Sequence, residues 1–274
     1  MSIFKLTLKH KTKLIRSDYI QYDKPTIYAF SHVFKDDIVS VLSCLKSSAY
    51  ILMANKEGIT KTFDGLGAFL NGAIWVDRTD KKSRIKATDM MVEVLQNGGD
   101  ILMAPEASWN VIPNLPIKKL WWGVLDVAAN TGANIVPVAI DIVNDQYCVL
   151  IGRKYDYNKY NEKSEAISLL RDEMATLSWE LFERKPLQSR SETSDLEWVC
   201  FYLSELARVP FVDQIIEDNA SFRPKGEIDL GELLTEMHGI EYRSLVADYT
   251  RHMRINSLID DWTNPIRFTV TNIY

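Results

Sequence analysis

Between Thr26 and about Ile151 short apolar runs alternate with stretches of helical periodicity. That alternation restricts the fold of this chain more than any other feature. PTIYAFSH reads as a strand and Asp36 to Leu45 as a helix; AYILMA is a strand and Phe63 to Leu70 a short helix. GAIWVD is a strand, and Lys81 to Gln96 a helix with apolar positions at Ile85, Met90, Val92 and Leu95. ILMA, a helix from Lys119 to Asn130, NIVPVAI, a strand from Gln146 to Ile151 and a long helix from Glu162 to Lys185 complete the series. Strand and helix in alternation predict an α/β fold, a mixed and largely parallel sheet flanked by helices. Pro186 opens the polar stretch PLQSRSETSDLE, which predicts a boundary. Residues 1–185 read as the core and 186–274 as a mostly helical extension or subdomain.

Composition narrows the classes of function. A net charge of −5 argues against broad nucleic-acid binding, which leaves a basic footprint. Cys44, Cys148 and Cys200 are too scattered for a disulfide framework, and none forms a CxxC pair for zinc. The basic N-terminal stretch MSIFKLTLKHKTKLIRSDY lacks a continuous apolar segment, and no run of about 18 apolar residues occurs. The expectation is a cytoplasmic protein, at most peripheral on the inner face of a membrane. No metal site is expected.

Only four histidines are present, and one stands out. His32 ends a strand and Asp37 follows at the start of a helix, in SHVFKDDIVS. Sites in α/β sheets gather at the carboxyl ends of strands. A carboxylate there can hold imidazole Nδ1–H and leave Nε2 to take a proton. Taken alone, an HxxxxD spacing more often marks an ordinary surface histidine, and Asp36 competes as an N-cap. Arg78 ends the strand of GAIWVDR, with Lys81, Lys82 and Arg84 following; the bland alternative is a solvated helix start. In ILMAPEASWN, Pro105 stops a strand and presents Glu106, which can hold an acceptor hydroxyl or simply cap a helix. Pro137 inside NIVPVAI predicts an edge position or a bulge and is read as shaping a pocket wall. Trp121 and Trp122 beside Lys118 and Lys119 suit a membrane interface or, as readily, the start of a core-facing helix.

No GxSxG elbow, no complete GxGxxG and no HExxH occurs, which removes serine hydrolase, dinucleotide and zinc hydrolase readings. Taken together, His32/Asp37, Gly72/Arg78, Pro105/Glu106 and Pro137 resemble, in order and spacing, the four blocks of the glycerolipid acyltransferase family. MANKEG with Lys56, the run GLGAFLNGAIWVDR, and LPIKKLWWG are similar to the connecting text of that family. The resemblance covers roughly residues 23–155. It implies transfer of a fatty-acyl group from a coenzyme A or acyl-carrier-protein thioester, a co-substrate, to a hydroxyl of a lysophospholipid-like acceptor. His32 would be the general base, Asp37 its support, and Arg78 with Lys56 the grip on an acceptor phosphate. Gly72, Pro105, Glu106 and Pro137 would complete the substrate site. No resident cofactor is implied. The third block departs from the family's Phe-Pro-Glu-Gly: here it is Ala104-Pro105-Glu106-Ala107-Ser108, followed by Trp109 and Asn110. A relative that acylates a different acceptor (an amine, a sugar, a lipopeptide or a secondary metabolite), or a non-catalytic lipid binder, therefore stays open.

Overall fold

The computed structural model describes residues 8–18, 24–54, 59, 68–110 and 115–185. Lys56, the start of the helix read over Phe63 to Leu70, and the extension over 186–274 lie outside the described residues. The strands are β1 (Lys11–Ser17), β2 (Thr26–Phe30), β3 (Ala49–Met53), β4 (Ala73–Trp75), β5 (Asp100–Met103), β6 (Asn134–Val143) and β7 (Gln146–Ile151). The helices are α1 (Asp37–Cys44), α2 (Lys81–Gln96), α3 (Gly123–Thr131) and α4 (Lys163–Phe182). The strands form one sheet in the order β1-β7-β6-β2-β5-β3-β4. Every neighbouring pair is parallel except β6 with β7.

The central strands are apolar on both sides because both faces are covered, as a parallel sheet requires. All five residues of β2 are buried. On one face Ile27, Ala29, Ile101 and Ile135 pack with Met91 and Leu95 of α2, Val124 and Val127 of α3, and Leu170 and Met174 of α4. On the other, Tyr28, Phe30, Val138 and Val149 pack with Phe34 and with Val41 and Leu42 of α1. The antiparallel pair is a two-residue hairpin: Asn144 and Asp145 take φ of 48° and 60°, the left-handed pair of a type I′ turn.

Four expectations change. The strand β1 is not legible in KTKLIRS, whose residues are mostly exposed. It is an edge strand beside β7 alone, and charged side chains are how such edges are protected. Helix α2 turns a different face inward: Ala87, Met91 and Leu95 are buried, whereas Ile85 is 52% and Met90 38% exposed. Helix α3 begins at Gly123, not at Lys119. Pro137 sits in interior β6, not on an edge. The carbonyl of Pro137 accepts from the Gly152 amide at 2.9 Å, just where the β7 ladder ends, so its missing N–H faces a vacated ladder position. The segment after β7 then takes an extra residue before Tyr155 bridges Ile135, so the irregularity lies opposite Val136, next to the proline.

Candidate active site

Because β2, β3, β4 and β5 run parallel, the segments that follow them emerge along one edge of the sheet. The segment after β2 carries His32, and the short loop to α1 folds back so that Asp37 meets it. Asp37 is fully buried, and its Oδ2 accepts from His32 Nδ1 at 2.7 Å, Val33 N at 2.9 Å and Phe34 N at 3.2 Å. Three donors on one oxygen fix the carboxylate and, through it, the ring. The neighbouring carboxylate, Asp36, occupies the N-cap position but makes no side-chain cap. Its Oδ2 accepts instead from Tyr147 Oη at 3.1 Å and Lys9 N at 3.0 Å. The His32 side chain is 19% exposed, and Nε2 has no hydrogen-bond partner among the described residues. Phe30 lies edge-on at 5.5 Å and Trp109 tilted at 5.1 Å between ring centroids, so the imidazole is flanked by apolar rings.

The loop after β5 is the hub of the site. Glu106 is buried and bridges two backbones: Oε1 accepts from His32 N at 3.1 Å and Oε2 from Lys118 N at 2.8 Å. Burial pushes the Glu106 carboxyl above its ordinary 4.5, against the two amides and the Lys118 charge that favour ionisation. Ala107 takes a left-handed φ of 63°. Its carbonyl accepts from Arg78 Nη1 at 2.6 Å. Asn110 N donates to His32 O at 2.7 Å. The half-buried Arg78 is therefore tied to the histidine through adjacent residues of one loop. Lys118 is buried, and its Nζ donates to Ser108 Oγ at 2.5 Å and to Trp109 O at 3.0 Å, fastening that loop from behind. Pro105 is buried at the loop's start, its carbonyl accepting from Trp121 N at 2.9 Å.

The structure thus brings His32, Asp37, Arg78, Pro105 and Glu106 together. Gly72 lies elsewhere: at φ 73° it turns the chain into the amino end of β4, and an added Cβ would stand 2.6 Å from the Tyr50 ring. Pro137 also faces away: its neighbours Val136 and Val138 share the face of Phe30, and its ring lies on the opposite face beside Gly152. Lys118 and Trp109 were not among the residues singled out for chemistry. The doubled lysine of LPIKKLWWG is the available signal, since only Lys119 of the pair is exposed. Trp121 and Trp122 are 50% and 38% exposed, which excludes a core-facing role. Among the described residues no helix is long and apolar enough to cross a membrane, and no cluster of His, Cys, Asp and Glu could hold a metal ion.

The family model Acyltransferase matches residues 11–141, from β1 into β6 and across the whole His32–Arg78–Glu106 arrangement. Residues 11–141 form an acyltransferase-family domain. The domain is similar to a 1-acyl-sn-glycerol-3-phosphate acyltransferase of Chlamydomonas reinhardtii, 26% identical over 119 residues, 43% of this chain. The match spans only 34% of that relative's length. Among solved structures, the fold is similar to that of the 1-acyl-sn-glycerophosphate (LPA) acyltransferase PlsC from Thermotoga maritima, with a TM-score of 0.52 and 16% identity. That superposition covers 65% of this chain and 75% of the other.

Proposed function

We propose that the acyltransferase domain moves a fatty-acyl group from a carrier thioester to a hydroxyl of a 1-acylglycerol-3-phosphate-like acceptor, with His32 as general base. The observation that carries this reading is the 2.7 Å contact of His32 Nδ1 with a carboxylate held by two further amides, leaving Nε2 outward. With Nδ1–H donated to Asp37, Nε2 is the basic nitrogen. It takes the acceptor's hydroxyl proton as that oxygen adds to the thioester carbonyl. The tetrahedral intermediate then expels the thiolate, which receives the proton back from the imidazolium. One C–S bond breaks, one C–O bond forms, and a free thiol and an ester leave. Asp37 holds the tautomer and stabilises the imidazolium, as in a triad whose nucleophile is the substrate.

Arg78 supplies the charge for an acceptor phosphate. One of its nitrogens is committed to Ala107 O, which orients the guanidinium. Glu106 has both oxygens engaged by backbone amides, so its role is to set the position of the histidine. Similarity to proteins named for 1-acylglycerol-3-phosphate supports the choice of acceptor. The altered third block favours a second reading, a different hydroxyl or amine acceptor, since Ala107 adds a methyl group and Trp109 a ring beside the imidazole.

The test is release of free thiol from palmitoyl-coenzyme A and from palmitoyl-acyl-carrier protein in the presence of 1-acylglycerol-3-phosphate. The product is identified by mass spectrometry, and the same acceptors are screened alongside alcohols, sugars and amines. Wild type should release thiol only with an acceptor present, and His32→Ala should lose roughly 10²–10⁴ of the rate. Full activity in His32→Ala would reject the assignment.

A further inference from the structure

The outer face of α2 carries a feature that the reaction chemistry does not use. Lys81, Lys82, Ile85 and Lys86 are all exposed, Ile85 at 52%. With about 3.6 residues per turn these four share one side of the helix, opposite Ala87, Met91 and Leu95. The acidic residues nearby are occupied locally. Asp80 caps the helix by accepting from Lys82 N and Ser83 N, each at 3.0 Å. Asp77 accepts from Thr79 N at 2.8 Å and Thr79 Oγ1 at 2.7 Å. Farther along the same face the sign reverses, at Asp89 and Glu93, both exposed. An apolar side chain ringed by lysines is thus confined to the first two turns.

Those turns stand beside the site. Helix α2 begins just after β4, at the sheet edge from which the His32 and Glu106 segments also emerge. Arg78, which precedes the cap, reaches the loop that touches His32.

We propose that the amino-terminal half of α2 is the docking surface for an acidic protein that carries the acyl thioester. This rests on the acyl-transfer reading above and chooses between its two kinds of donor. The surface is a convex helix face, whereas a nucleotide-sized ligand is held in a concave pocket. A flat anionic membrane would meet Asp89 and Glu93 together with the lysines, while a small protein can cover the basic half alone. A central apolar contact inside a charged rim is the anatomy of a protein interface, and opposite charge on the partner speeds and orients docking.

The experiment uses the full chain and two donors with the same palmitoyl group, one on an acidic acyl-carrier protein and one on coenzyme A. It compares wild type with the triple variant Lys81→Glu/Lys82→Glu/Lys86→Glu, whose positions are exposed and outside the catalytic machinery; Lys→Ala replaces Lys→Glu if the melting temperature falls. Binding of the loaded carrier protein is measured separately by calorimetry, with anionic phosphatidylglycerol vesicles as the second probe. The triple variant should raise KM for the carrier-protein donor about tenfold or more, leave kcat unchanged, and leave KM for the coenzyme A donor within about threefold. Calorimetry should show the same loss. Unchanged carrier binding, an equal loss with coenzyme A, or a loss confined to vesicle binding would each overturn the proposal. If neither donor turns over but the carrier protein binds wild type and not the variant, the docking surface stands and the acyl-transfer reading fails.

Discussion

At the scale of single residues the site depends on a few backbone amides being met by the right oxygens. Asp37 Oδ2 takes three donors, and Glu106 joins the amides of His32 and Lys118. Ala107 is the residue under strain, since a left-handed φ of 63° costs a non-glycine residue roughly 1–2 kcal/mol. Ala107→Gly should therefore stabilise the fold by about 0.5–1 kcal/mol after the greater freedom of glycine in the unfolded chain is counted. The midpoint of denaturant unfolding measures it, and a loss of stability would show that the methyl group is needed where it stands. The His32–Asp37 pair was legible in the sequence only in company: its spacing alone more often marks a surface histidine, and the order and spacing of four blocks together singled it out. The sequence did not reveal Lys118, because a Lys-Lys pair does not say which ammonium turns inward. Nor could it show that Glu106 is engaged on both oxygens, a matter of where two distant backbones meet.

At the scale of elements the strands from β2 to β7 and the helices α1 to α4 were readable, since periods of two and 3.6 leave different apolar patterns. The limits fell where packing overrides pattern. Ile85 and Met90 looked like core positions of α2, yet the helix rolls toward the small Ala87, and the larger pair is left outside. The strand β1 was hidden by its own lysines. Strand β6 holds a buried carboxyl on the side of α4: Asp141 meets Lys185 Nζ at 2.6 Å and the Ile142 amide at 2.7 Å. Burial nevertheless outweighs those partners and raises its pKa above the ordinary 3.8. A carboxyl with a raised folded-state pKa binds more protons folded than unfolded in the intervening range, so stability falls as pH climbs from the unfolded value through the folded one. Asp141→Asn should flatten part of that decline, leaving the contribution of Glu106, which has the same sign. Unfolding midpoints compared at about pH 5 and about pH 8 read it out; an unchanged slope would mean that Asp141 ionises as readily in the fold as in the open chain.

At the scale of the whole molecule, a sheet with one antiparallel pair and helices on both faces gathers residues more than seventy positions apart at one edge. The fold class was legible from the alternation, and the family from four short blocks read in order. The strand order was not, because pairing between distant strands leaves no local mark. The proposed chemistry rests on one contact of this architecture, the carboxylate of Asp37 against the imidazole of His32. A double-mutant cycle on kcat tests that contact most directly, with Asp37→Asn, His32→Gln and the double variant assayed for thioester-dependent acylation on equal amounts of folded protein. Residues that work as a unit lose activity non-additively. Each single change should cost about 100-fold or more, and the double should fall no further than the worse single. Losses that multiply, or an Asp37→Asn enzyme with wild-type kcat, would mean that the two side chains do not act together.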